Sequence, residues 1–173
     1  MSDTGKNNTL APTIEDKDIY KTAFDTRNFE ISLFWQRSNY FLVLNSVLAL
    51  GFFNLTKPEF SLLLAIFGWF VSFLWYRVNL GSKFWQSRWE ERLADIERKV
   101  APNLRMFSAD YPTIETDVKN SLMRNPPKSK FRVWLNTQIL KKPSVSFNMT
   151  LLSIFFVAGW SLLIIHKLWH CVA

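Results

Sequence analysis

Two polar side chains stand where an apolar helix would ordinarily have none. Arg37 and Asn45 lie at and inside the run that begins YFLVLNSVLAL at Tyr40. Charged and amide groups are costly in lipid, and at that depth they typically face a bundle interior or a water-filled path. If several copies assemble, Arg37 forms a ring of positive charge at a pore mouth. Taken singly, each residue also has a plainer reading. Arg37 can snorkel to phosphates, and Asn45 can hydrogen-bond a neighbouring helix.

The second constellation is basic. From Val118 to the C-terminus there are eight Lys or Arg residues and no acid, and seven of the eight lie between Lys119 and Lys142. Arg124, Lys128, Lys130, Arg132, Lys141 and Lys142 surround the apolar Phe131, Trp134, Leu135 and Ile139. Beside a membrane span, such a cluster attracts anionic headgroups at about 1 kcal/mol per charge. RNA would use the same charge with stacking on Phe131 or Trp134, and nucleic acid is the less favoured partner.

The third constellation is weak. His166 and His170 share a helix face at the spacing of a two-ligand metal site. No Glu or Cys stands between them, although Cys171 adjoins. The plainer reading is a helix end with His and Lys near its C-terminal dipole, so neither a metal nor a cofactor is expected. There is no HExxH, no Gly-rich phosphate loop and no nucleophile elbow. Neither His has the upstream Arg of an Arg-(4–6 residues)-His ribonuclease motif. An enzyme is not expected.

Helices must position these groups. Tyr40–Leu55 and Phe60–Tyr76 are apolar runs separated by Thr56-Lys57-Pro58-Glu59, a transmembrane helical hairpin by length. Before it, Tyr20, Phe24, Arg27, Ile31 and Phe34 fall at spacings of three and four. No Pro or Gly interrupts Thr13–Ala49, so one helix can run straight into the membrane. After it, Trp85, Trp89, Leu93, Ile96 and Val100 make an apolar stripe on a charged helix that Pro102 ends. Thr113–Met123 reads as a short helix. Phe131–Ile139 reads as a helix lying in the membrane interface. Phe147–Ile165 is a third apolar run, capped by Ser144 or Ser146.

The expected fold is an all-α membrane protein: a transmembrane hairpin, a third C-terminal transmembrane helix and cytoplasmic amphipathic helices. Its parts are a disordered tail (1–12), an amphipathic cytoplasmic helix (13–38), the hairpin (39–79), a cytoplasmic helical module (80–145), the third span (146–168) and a short tail (169–173). Residues 1–38 hold five Lys or Arg and residues 77–145 hold fourteen. The positive-inside rule then puts both regions in the cytoplasm. The net charge of +7 agrees with an anionic partner. The polar N-terminus predicts no cleavable signal peptide.

The segment Arg27–Phe41, RNFEISLFWQRSNYF, running into a short hairpin, resembles the RipA family of octameric bacterial membrane proteins. The WQRSNYF block carries most of the likeness, which covers about residues 25–100. The resemblance implies a bacterial inner-membrane protein that forms a ring of eight. One branch of that family is tied to survival in host cells and envelope physiology. A branch similar in layout is the membrane accessory protein of type VI-B CRISPR systems, an octameric pore in phage defence. No catalytic residues come with it. Two functions follow as expectations. One is a homo-oligomeric inner-membrane protein that forms or gates a pore. The other is a non-conducting scaffold whose basic module recruits a protein or RNA partner in envelope homeostasis or phage defence.

Overall fold

The computed structural model describes residues 14–55, 58–124 and 129–172, all in helices or short connections. The tail 1–12, Thr13, Thr56 and Lys57 of the polar break, and Lys128 lie outside the described residues. With no helix breaker before Gly51, α1 runs unbroken from Ile14 to Asn54. Pro58 opens α2, where its missing N–H costs nothing, and α2 continues to Val100. At 1.5 Å per residue each is about 60 Å long, roughly twice a hydrocarbon core. Both must therefore project well beyond any membrane that they cross.

Three shorter helices follow: α3 (Tyr111–Met123), α4 (Lys130–Leu140) and α5 (Val145–Val172). Asp110 and Pro112 open α3. The Ser129 hydroxyl accepts from the Arg132 N–H to cap α4. Of the two serines predicted to cap the last helix, Ser144 does so, accepting from the Phe147 N–H at 3.3 Å. That helix runs on to Val172, so the predicted short tail from residue 169 is helical almost to its end.

Packing is a sheaf with α2 at its centre: α1 lies on one side of it and α5 on another, while α3 and α4 pack on each other. The buried positions of α2 are Ser61, Ala65, Gly68, Ser72, Trp75, Asn79, Ser82, Gln86, Leu93 and Glu97, with Val71 and Ala94 beside them. On α1 they are Phe34, Ser38, Asn45, Leu48 and Phe52. Steps of three and four repeating every seven residues define a narrow coiled-coil seam. Outward positions of these two helices include Val43, Val47, Leu63, Phe67 and Phe70, and those of α5 include Leu151, Ile154 and Phe155, all exposed.

Polar inside and apolar outside inverts the arrangement of a water-soluble bundle. It suits helices whose solvent is lipid, where small and polar residues hold the interface. Two helices, α2 and α5, are long and apolar enough to cross a membrane.

One expectation is corrected. Trp85, which leads the predicted apolar stripe of the charged helix, is exposed, while Leu93 of that stripe is fully buried, Trp89, Ile96 and Val100 are half-buried, and Ser82, Gln86 and Glu97 share the inward side. The seam set in the apolar half keeps its phase along one continuous helix. That phase decides which face is buried below it.

Candidate functional site

The seam is joined by rungs one heptad apart. Asn45 is fully buried, and its side-chain carbonyl accepts from the Trp160 indole N–H at 3.0 Å and from the Ser72 hydroxyl at 2.7 Å. Its amide donates to the Phe41 carbonyl at 2.9 Å. The Ser72 hydroxyl also lies 2.8 Å from the Gly68 carbonyl, so its one proton is shared. Seven residues along α2, Asn79 donates to the Met149 carbonyl at 3.1 Å and lies 3.4 Å from the Ser153 hydroxyl. Seven further, Gln86 accepts from the Ser146 hydroxyl at 2.9 Å. Each step of seven down α2 is matched by a step of seven up α5. The rungs therefore fix an antiparallel register that apolar contacts alone would leave free to slip.

Gly68 is required by the first rung. A Cβ there would collide with the Trp160 indole, two of whose carbons would lie 2.6 Å away. The bare helix surface lets the indole lie flat and reach Asn45. Phe52 closes over the same indole edge-on at 6.0 Å, and Trp75 stacks on Phe41 at 6.1 Å.

At the far ends of α1 and α2 the seam finishes on Glu97, which is also fully buried. One carboxylate oxygen accepts from the Met106 N–H at 3.0 Å, and the other accepts from Phe107 at 2.9 Å and Ser108 at 2.7 Å. Tyr20 of α1 reaches the carboxylate at 3.5 Å. Burial pushes the Glu97 carboxyl up, but the N–H groups of Phe107, Ser108 and Met106 outweigh it and hold it below the ordinary Glu value. The Tyr20 hydroxyl is pushed up, first by burial and then by the neighbouring charge of Glu97.

The chain after Pro102 is thus folded back by an anion in a nest of backbone donors. That fold places Phe107 against Phe24 at 6.1 Å and beneath the Arg27 guanidinium at 5.3 Å. Arg27 pairs with Glu90 at 3.5 Å.

The predicted residues fall in different places. Asn45 is inside the bundle of a single chain, so it does not line a path as that chain stands. Arg37 is exposed on α1. Arg124, Lys130, Arg132, Lys141 and Lys142 are exposed on or beside the α3–α4 pair, with the Lys142 ammonium over the Tyr111 ring at 5.5 Å. His166 is exposed on α5, and the His170 side chain lies outside the described residues.

Sequence reasoning passed over Ser72, Asn79, Gln86, Trp160 and Glu97. The signal was present: Ser72, Asn79 and Gln86 are spaced by seven on α2, and Ser146, Ser153 and Trp160 are spaced by seven on α5.

A family model described as the octameric membrane protein family (8xMP) matches residues 17–169. The chain belongs to this family. The match covers all five helices and agrees with the resemblance carried by WQRSNYF. The family's name supports a membrane location and assembly from copies of one chain, and it is not the name of an enzyme family. No curated protein and no solved structure matches.

Proposed function

We propose that eight copies form a ring in the bacterial inner membrane and that the ring encloses a water-filled path faced by α1. One observation carries this reading. Asn39 and Ser46 are exposed on the side of α1 opposite its buried seam, interleaved with Val43 and followed by Leu50, and Ser32 and Gln36 continue that side into the cytoplasmic half. The outer faces of α2 and α5 in the apolar region carry Leu63, Phe67, Phe70, Ile154, Phe155 and Leu162 instead. Lipid suits those two faces. Exposed amides and hydroxyls suit water or a second copy.

In this reading the apolar end of α1 is a third crossing beside α2 and α5. Both basic regions, 1–38 and 77–145, are cytoplasmic by their Lys and Arg content. The Phe41–Trp75 stack puts Arg37 and Arg77 within about one helical turn of each other in height. Arg77 is exposed on the lipid-suited face of α2, where it must reach phosphate, so Arg37 lies at the cytoplasmic mouth. Eight guanidiniums there would favour anions. Liposomes containing the purified protein should pass ions with chloride preferred, and Arg37→Glu should weaken or invert that preference. Absence of flux would remove the reading.

The alternative, a non-conducting scaffold in envelope homeostasis or phage defence, draws on the α3–α4 pair, which packs on itself and leaves its basic surface open. Under it, neutralising Arg124, Lys130, Arg132, Lys141 and Lys142 would abolish function in the cell with the ring intact.

A further inference from the structure

Among the described residues, α3 and α4 pack on each other and not on the α1–α2–α5 sheaf. Within the pair, α4 turns Val133, Asn136, Thr137 and Leu140 to Lys119, Leu122 and Met123 of α3. The opposite side of α4 carries Phe131, Trp134 and Leu135, which are 67%, 55% and 38% exposed. Lys130, Arg132 and Lys141 flank that side, the Lys142 ammonium lies over the Tyr111 ring of α3, and no acid follows Asp117 anywhere in the chain. From these observations we infer that α4 lies flat in the headgroup layer of the bilayer that α5 enters, its aromatic side down and its cations on anionic phosphates.

Three features choose lipid as the occupant. The first is tether length. The five residues from Leu140 to Val145 extend at most about 17 Å, so α4 cannot leave the neighbourhood of the α5 entrance. The second is composition: an apolar stripe with Trp and Phe, flanked by Lys and Arg, is the make-up of an in-plane interfacial helix. The third is ring geometry. Phe131 and Trp134 stack on each other at 5.9 Å and 21°. One face of each ring is therefore taken, which leaves a single open face per ring for a base. A stacked aromatic pair seated among acyl chain ends loses nothing by this.

The inference is independent of whether the assembly conducts. Its test uses the full-length protein in nanodiscs of phosphatidylcholine, alone or mixed with phosphatidylglycerol. A spin label is placed at Gln138→Cys on the outward side of α4, or at Asn136→Cys on the side facing α3, in a Cys171→Ser background. Accessibility to oxygen and to a water-soluble nickel relaxant reports depth.

In phosphatidylglycerol discs the label at 138 is expected to be lipid-exposed and the label at 136 not. Replacing Lys130, Arg132, Lys141 and Lys142 together by Gln is expected to lower the inserted fraction more than about ten-fold, with helicity and assembly mass unchanged. A label at 138 that stays in water, or that inserts equally without anionic lipid, overturns the inference. So does one that is protected only on adding single-stranded RNA.

Discussion

Asn45 and Glu97 are the two side chains on which most of the buried hydrogen bonding converges, and they act in opposite environments. Asn45 holds three helices together in the apolar half. Asn45→Leu leaves the buried Trp160 N–H without its acceptor, while the Ser72 hydroxyl keeps the Gly68 carbonyl. It should cost about 1–2 kcal/mol, read as a lower midpoint in a denaturing-detergent titration.

Glu97 works outside the membrane region by accepting three backbone N–H groups. Its carboxyl sits below its unfolded value, so its contribution is fully present above the ordinary Glu range and is lost as pH falls through the lowered value. The fold-back of residues 101–110 should therefore loosen progressively as pH falls from the ordinary Glu value through the lowered one. Glu97→Gln, which keeps one acceptor oxygen and brings an unwanted donor, should open this segment at neutral pH. Limited proteolysis between Arg105 and Asp110 reads that change. Unaltered protease resistance in the variant would show that the nest does not hold the loop.

At the scale of elements, the helices and their order were legible in the sequence because breakers and periodicity are local. Pro58, Pro102 and Pro112, the polar gap after Leu55 and the apolar runs mark where helices stop and start. Which face each helix buries was only partly legible. The stripe of Tyr20, Phe24, Arg27, Ile31 and Phe34 does turn toward the partner helix. The stripe led by Trp85 does so at Trp89, Leu93, Ile96 and Val100 but not at Trp85 itself, because the seam of small and polar residues in the bilayer half imposes its phase on the soluble half. Hydrophobicity is the wrong guide to the inside when the outside is lipid.

The same logic makes Gly68 a decisive position. Gly68→Ala should destabilise the α2–α5 contact by about 1–3 kcal/mol. Trp160→Phe, which removes the fused ring from the collision, should recover part of that loss in a double-mutant cycle. Additive effects would separate Gly68 from Trp160.

For the whole molecule, the candidate site was half legible. Asn45 stood out as a polar residue in an apolar run, yet its partners Ser72 and Trp160 lie 27 and 115 residues away, a pairing that no local pattern announces. What the single chain adds is asymmetry. Two helices present apolar outer faces, while α1 mixes Ser32, Gln36, Asn39 and Ser46 with Val43, Val47 and Leu50 on its outer side. A ring that hides the α1 face and shows the others to lipid satisfies all three at once. Intact mass in detergent should give eight copies of the 20.4 kDa chain, and a monomer would remove the ring.

The central claim is that this ring encloses a path faced by α1 with Arg37 at its mouth. It is tested most directly by ion flux through liposomes containing the wild-type protein or Arg37→Glu. The account predicts flux with chloride favoured over potassium in the wild type, and a weakened or inverted preference in the variant. No flux from an intact ring, or an ion preference unchanged by the substitution, would contradict it.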